Sequence, residues 1–246
     1  MTSPKRLAKK IETVVHGDYL LRVPESDPPW PLLVGFHGYG ETAEIMMRRL
    51  EAIPQADNWL LCAVQALHPF YTESGREVGA SWMTRLDRED AIRENVDYVD
   101  RVVEAVAREF ATTDTLVFAG FSQGTAMACR AAALGRAASS GIVLVGGDLP
   151  EELKTPAGLR RAHCALIGRG LEDRFLTAER MERDAGRLRE AGVAVRTESV
   201  AGGHEWNASM GWVVGDFLLG LWEMELNEAP VDADPGRHDN GGDRAE

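Results

Sequence analysis

Short apolar runs alternate with longer amphipathic stretches along most of the 246 residues. Asp18 to Val23 and Leu32 to Phe36 read as strands, the second a continuous apolar run of the kind required by a strand covered on both faces. Thr42 to Ile53 has helical spacing and stops before Pro54. Trp59 to Gln65 is again an apolar strand, whereas residues 66 to 86 show no period, and a loop of that length in a compact domain is usually functional. Arg88 to Phe110 predicts a long amphipathic helix, because Ile92, Val96, Val99, Val103 and Val106 recur at three- and four-residue steps. The alternation continues with a strand from Thr115 to Ala119, a helix from Gln123 to Leu134 stopped by Gly135, and strands at Gly141 to Val145 and Ala162 to Gly168. A helix from Thr177 to Ala191, a strand from Val193 to Val200 and a helix from Ser209 to Leu226 complete it. Strands and helices in this order imply an α/β protein with a mostly parallel sheet and helices on both faces.

The pattern divides the chain into a basic segment over residues 1–15, a folded domain over 16–226 and an acidic tail over 227–246. In the tail six acidic residues stand against two arginines with almost nothing apolar between them, so it cannot bury enough surface to offset its ordering entropy and is expected to be disordered. The N-terminal lysines and arginine are expected to be solvated. A formal charge of −12 argues against a nucleic-acid partner, because phosphate binding needs clustered Lys and Arg. No apolar stretch reaches the length of a membrane span or follows the basic start as a secretory signal, so no stable membrane insertion and a cytoplasmic location are expected. The odd count of three cysteines, Cys62, Cys129 and Cys164, all inside apolar runs, reads as inert buried thiols.

The strongest chemical signal is Gly120-Phe121-Ser122-Gln123-Gly124, set between a strand and a helix. A serine in such a turn is held in strained backbone with its hydroxyl projecting, and the helix that follows presents free N–H groups where an oxyanion would form. The hydroxyl is a weak nucleophile until a base takes its proton. Of the later histidines, His163 opens a strand at what is read as a sheet edge and His238 lies in the tail. His204 follows a strand and two glycines, which let it reach back over Ser122. The acid is expected between them: Asp173 lies at the carboxyl end of a strand, where α/β sheets build their sites, with Asp148 and Glu172 as rivals. The competing reading of Asp173, less favoured than the acid, is a cap or first-turn charge for the helix beginning near Thr177. An oxyanion hole would take the backbone N–H of Gln123 and one from the loop Phe36-His37-Gly38-Tyr39-Gly40, with Tyr39 as donor and His37 bracing the loop. Phe70, Tyr71, Trp82 and Met83, with Leu171 beside the acid, are candidates for an acyl pocket, although aromatics in a long loop are as often packed as exposed. The acidic and histidine residues show no ligand-like spacing, so no metal or other cofactor is implied.

At these residues the sequence resembles the phospholipase/carboxylesterase family of α/β-hydrolases, over roughly residues 28 to 226. The resemblance rests on His37-Gly38-Tyr39-Gly40, the Phe-Ser-Gln elbow, Asp173 and Gly203-His204. It implies the α/β-hydrolase fold, a Ser122–Asp173–His204 triad with Tyr39 and Gln123 as oxyanion donors, and a small-molecule ester or thioester substrate. Carboxylesterase activity is the first expectation, acyl-protein thioesterase or lysophospholipase-like hydrolysis the alternative, and a ligand-binding protein without turnover the reading of another class. Three positions depart from the family: Arg169 stands where a histidine is common, Thr177 where proline is, and Thr125 where a second glycine often follows the elbow. Nothing in the pattern specifies an oligomeric state.

Overall fold

The computed structural model describes residues 6–72, 75–153 and 161–228. Nine strands and five helices are found among them. The main sheet is formed by β1 (Tyr19–Arg22), β2 (Trp30–Phe36), β3 (Leu60–Val64), β6 (Thr112–Phe121), β7 (Ser139–Val145), β8 (Ala162–Gly170) and β9 (Ala194–Val200), in the order β1-β3-β2-β6-β7-β8-β9. Only β1 runs antiparallel to its neighbour; the other pairs are parallel. The helices are α1 (Ala43–Glu51), α2 (Arg88–Glu109), α3 (Gln123–Leu134), α4 (Ala178–Glu190) and α5 (Ala208–Glu228).

Alternation along the strands sorts side chains onto two faces. Leu32, Val34, Phe36, Leu60, Cys62, Val64, Leu116 and Phe118 meet Val99 and Val103 of α2, Met127 and Ala131 of α3, and Met181 and Leu188 of α4. The intervening residues Leu33, Leu61, Ala63, Val117 and Val143 face Met46 and Leu50 of α1 and Met210, Val214 and Leu218 of α5. Each such large side chain contributes about 1.5–3 kcal/mol by leaving water, so both faces must be covered and the strands read as unbroken apolar runs.

Several expectations shift. Residues 66–86, read as a loop without period, contain an antiparallel hairpin of β4 (His68–Tyr71) and β5 (Val78–Ser81) outside the main sheet. Its strands are short, one carries Pro69, and it is tied in by backbone bonds from Gly40 and Ala80 rather than by an apolar face, so periodicity had nothing to detect. His163 lies on β8, an interior strand flanked by β7 and β9, not at a sheet edge. Cys62 and Cys129 are buried, but Cys164 is only partly so and its thiol donates to the Ser140 carbonyl at 3.4 Å. The basic N-terminal segment has no regular structure over residues 6–18, yet Lys10 pairs with Asp87 and Asp90 at the start of α2. Of the expected disordered tail, residues 229–246 lie outside the described residues. No described helix is long and apolar enough to cross a membrane.

Strand order reverses direction between β2 and β6, and the loops leaving these two strands diverge there, which is where open α/β sheets place their clefts.

Candidate active site

Ser122 terminates β6 and caps α3 with φ 52° and ψ −115°, backbone that costs about 1–3 kcal/mol for a residue bearing a side chain. The cost is met by contacts on both sides. Ser122 N–H donates to the Val145 carbonyl at 2.8 Å, and the Ser122 carbonyl accepts from the Thr125 amide at 3.1 Å and hydroxyl at 2.7 Å. A Cβ at Gly120 would run into the Gly124 carbonyl, and one at Gly124 into the carbonyls of Phe36 and His37. Thr125, the departure from a second glycine, thus supplies a hydroxyl the turn uses, and Gly147 leaves the space: a Cβ there would strike Thr125 and the Ser122 carbonyl.

The elbow brings Ser122 against a histidine delivered from the far edge of the sheet. His204 Nε2 lies 2.9 Å from Ser122 Oγ, and His204 Nδ1 lies 3.0 Å from Asp173 Oδ2. A carboxylate can only accept, so Nδ1 carries the proton and Nε2 is left to accept from the serine hydroxyl. Asp173 is 4% exposed, and its other oxygen accepts from the Phe175 and Leu176 amides at 2.8 and 3.1 Å. Neither rival acid lies here. Asp148 is paired with Arg180, and Glu172 is exposed, attached to the base loop only by its amide, which donates to the Gly202 carbonyl. Thr177 holds the helix-start role by accepting from the Arg180 amide, so Asp173 is free of it.

Two features of this half were not singled out from sequence. Arg169, buried at the end of β8, donates through Nε to the Leu176 carbonyl at 2.8 Å and through Nη2 to the Leu171 carbonyl at 3.0 Å, spanning the loop that carries Asp173. Its signal was visible only as a departure from the family pattern. Phe175, 66% exposed, lays its ring 4.6 Å from the His204 ring, whose other neighbour is Phe121 at 5.1 Å. Gly170 permits the close approach of the two loops, since a Cβ there would strike the carbonyls of Gly202 and Gly203.

The loop after β2 is equally fixed. His37 is fully buried; its Nε2 accepts from the Ala66 amide at 3.1 Å, so Nδ1–H donates to the Gly38 carbonyl at 2.7 Å. Burial lowers the His37 pKa and keeps the ring neutral, as this arrangement requires. Glu41 accepts from the Gly38 amide at 2.8 Å and holds Arg49 through two 2.6 Å bonds, while the Arg49 guanidinium sits 4.3 Å over the Phe121 ring. Burial pushes the Glu41 carboxyl up, but the Arg49 bonds and charge outweigh it and the net shift is downward. Tyr39 stands between these anchors, and neither its amide nor that of Gln123 has an acceptor among the described residues. The Gln123 side chain is spoken for: Oε1 accepts from the Trp82 amide at 3.0 Å and Nε2 donates to the Met83 carbonyl at 3.1 Å.

The proposed acyl-pocket residues separate. Trp82 is 0% exposed and its indole N–H donates to the His37 carbonyl at 2.8 Å, so it is a strut behind the loop rather than a pocket wall. Phe70 stacks on Tyr39 with ring centroids 5.1 Å apart, and Met83 is partly buried against the core. Tyr39, Tyr71 and Leu171 are exposed. His238 lies outside the described residues.

A strand–elbow–helix serine, a histidine and an aspartate in this geometry on this sheet define an α/β-hydrolase fold. The sequence profile of the phospholipase/carboxylesterase family matches residues 21–218, and the chain belongs to that family of hydrolases. A search of curated proteins found no match. Among solved structures the chain is similar to esterase PE8 (TM-score 0.68, 19% identity, covering 84% of this chain and 100% of that one). It is similar also to the Bacillus cereus carboxylesterase (0.66, 16%, 83% and 94%) and to Zea mays acyl-protein thioesterase 2 (0.64, 19%, 84% and 99%). At these identities the structural likeness speaks for the fold.

Proposed function

We propose that the protein is a serine carboxylesterase acting on small or medium acyl esters through an acyl-enzyme on Ser122. The observation that carries this reading is the single histidine within hydrogen-bond reach of both Ser122 Oγ and Asp173 Oδ2. Ser122 Oγ attacks the ester carbonyl while His204 Nε2 takes its proton, and Asp173 holds the ring and stabilises the imidazolium. The carbonyl oxygen becomes an oxyanion that accepts from the amides of Tyr39 and Gln123, worth about 3–4 kcal/mol per donor in comparable sites. Collapse breaks the bond to the leaving oxygen, which His204 protonates. Water then repeats the sequence on the acyl-enzyme and releases the acid. Phe175 lies against His204, and its exposed apolar surface, with those of Leu171 in the loop before Asp173 and Tyr39 in the loop after β2, suits an acyl chain.

A fluorophosphonate probe tests the reading directly, because only an activated serine reacts. Wild-type protein should gain one adduct mapped to Ser122, and Ser122→Ala should gain none and lose ester turnover by about a million-fold, as in other serine hydrolases. An adduct on Ser122→Ala at the wild-type rate overturns it.

A further inference from the structure

The segment before β1 carries large aliphatic side chains that the fold leaves uncovered. Leu7, Ile11, Val14 and Val15 are 60–93% exposed, and residues 6–18 have no regular structure. By contrast α2 and α4 lay their apolar stripes on the sheet, through Val99 and Val103 and through Met181 and Leu188.

The spacing of the four exposed residues is nevertheless helical. At 3.6 residues per turn, Leu7, Ile11, Val14 and Val15 fall within about 100° of one another, the width of a core-facing stripe. Arg6, Lys9, Lys10, Glu12 and His16 fall on the remaining arc, with Lys10 beside the Val14 edge. A helix this short is marginal in water without an apolar surface to pack on, which accounts for the irregular backbone found here.

Charge decides which surface fits. Over residues 6–16 three cations, Arg6, Lys9 and Lys10, stand against the single carboxylate of Glu12, and Lys5 precedes them, in a chain with 39 acidic and 27 basic residues. A second copy would bring the same cations to the same stripe, so self-pairing meets like-charge repulsion. A bilayer with anionic headgroups takes the aliphatic stripe at the acyl boundary and the cations at the phosphates in one orientation.

The attachment of the segment leaves it accessible. At its C-terminal end Gly17 lies against the Tyr98 ring with no room for a Cβ, and the Tyr98 hydroxyl donates to the Asp18 carbonyl at 2.7 Å. Upstream, Lys10 pairs with Asp87 and Asp90, and these pairs are open to solvent and therefore weak. Anionic headgroups can take the place of those carboxylates.

We infer that residues 6–16 fold as an amphipathic helix on an anionic lipid surface and attach the protein to it reversibly. The helix lies in the plane of the interface and does not span it; no described helix is long and apolar enough to cross. This inference stands apart from the reading of Ser122.

Sedimentation of the full chain with vesicles tests it at physiological ionic strength, where charges of the acidic body are screened beyond about 8 Å. The protein should pellet with phosphatidylcholine vesicles containing about one third phosphatidylglycerol and stay in solution with phosphatidylcholine alone. Arg6→Gln and Lys9→Gln should each weaken partitioning about fivefold. The double variant Ile11→Asp, Val14→Asp should weaken it at least about a hundredfold with Tm unchanged, because both side chains are 93% exposed. Amide hydrogen exchange, which reads the unaltered protein, should slow over residues 7–16 on the anionic vesicles. Absence of pelleting on anionic vesicles, equal pelleting of the double variant, or equal pelleting on phosphatidylcholine alone overturns the inference. Exchange that slows elsewhere while residues 7–16 stay unprotected also overturns it. If protection of the segment rises with protein concentration in the absence of vesicles, its partner is a second copy and the inference fails.

Discussion

The two halves of the candidate site are held by different means. Around Ser122 the backbone does the positioning: a left-handed φ, two glycines with no room for a Cβ, and amide bonds to the next strand. Around His204 the side chains do it: the Asp173 carboxylate, the Phe121 and Phe175 rings, and the Arg169 guanidinium spanning the acid loop. The first kind of order is local and fails all at once when a methyl group is added. The second is distributed over several contacts, so a single loss should misplace the ring without unfolding the protein.

The largest effect that separates the halves is expected at the acid. Asp173→Asn leaves the volume unchanged but presents an amide that cannot fix the required tautomer or stabilise the imidazolium, so kcat for ester hydrolysis should fall by up to about ten-thousand-fold with KM little changed. Glu172→Gln, one residue away and exposed, should stay within about twofold of wild type by the same assay. If Glu172→Gln is instead the crippled enzyme, the side-chain half has been read from the wrong residue.

Gly124→Ala probes the backbone half. The added Cβ meets the carbonyls of Phe36, which ends β2, and of His37, which is fixed by its hydrogen bonds to Ala66, Gly38 and Trp82, and neither can yield as a flexible side chain would. A loss of about 3 kcal/mol is expected, seen as a drop in Tm of about 6–12 °C for a chain of this size. Retention of wild-type Tm would show that the elbow is softer than its packing implies.

Arg169→Gln should sharpen the contrast from the other side. It removes two charge-assisted bonds to the Leu171 and Leu176 carbonyls, so kcat should fall about ten- to thirtyfold while KM changes less than twofold. A change in KM alone would mean that Arg169 shapes the substrate site and not the acid.

The smallest effect concerns the pair that bridges the halves, Glu41 with Arg49, between the Gly38 amide and the Phe121 ring. Because the Glu41 pKa is lowered in the folded protein, its contribution is present above the ordinary carboxylate range and is lost as pH falls through the lowered value. Glu41→Gln should therefore reduce stability by about 1 kcal/mol at neutral pH and leave it nearly unchanged at strongly acidic pH. Parallel Tm–pH curves for the two proteins would remove Glu41 from the account.

Sequence by itself carried the order of the main-sheet strands and their helices, though not the β4–β5 hairpin, because a sheet covered on both faces needs apolar runs and its helices need one apolar stripe. It carried the elbow too, since Gly120 makes room for Gly124 and Ser122 is held by Thr125 a few residues away, although the approach of Gly124 to the Phe36 and His37 carbonyls is tertiary. It pointed to His204 and Asp173 by chain order, but their meeting is tertiary: β8 and β9 must pair before Gly170 can lie against Gly202. Trp82, Arg169 and Phe175 show what pattern cannot reach. An aromatic in a loop reads alike whether it is a strut or a wall, and only the His37 carbonyl above its indole N–H makes Trp82 a strut.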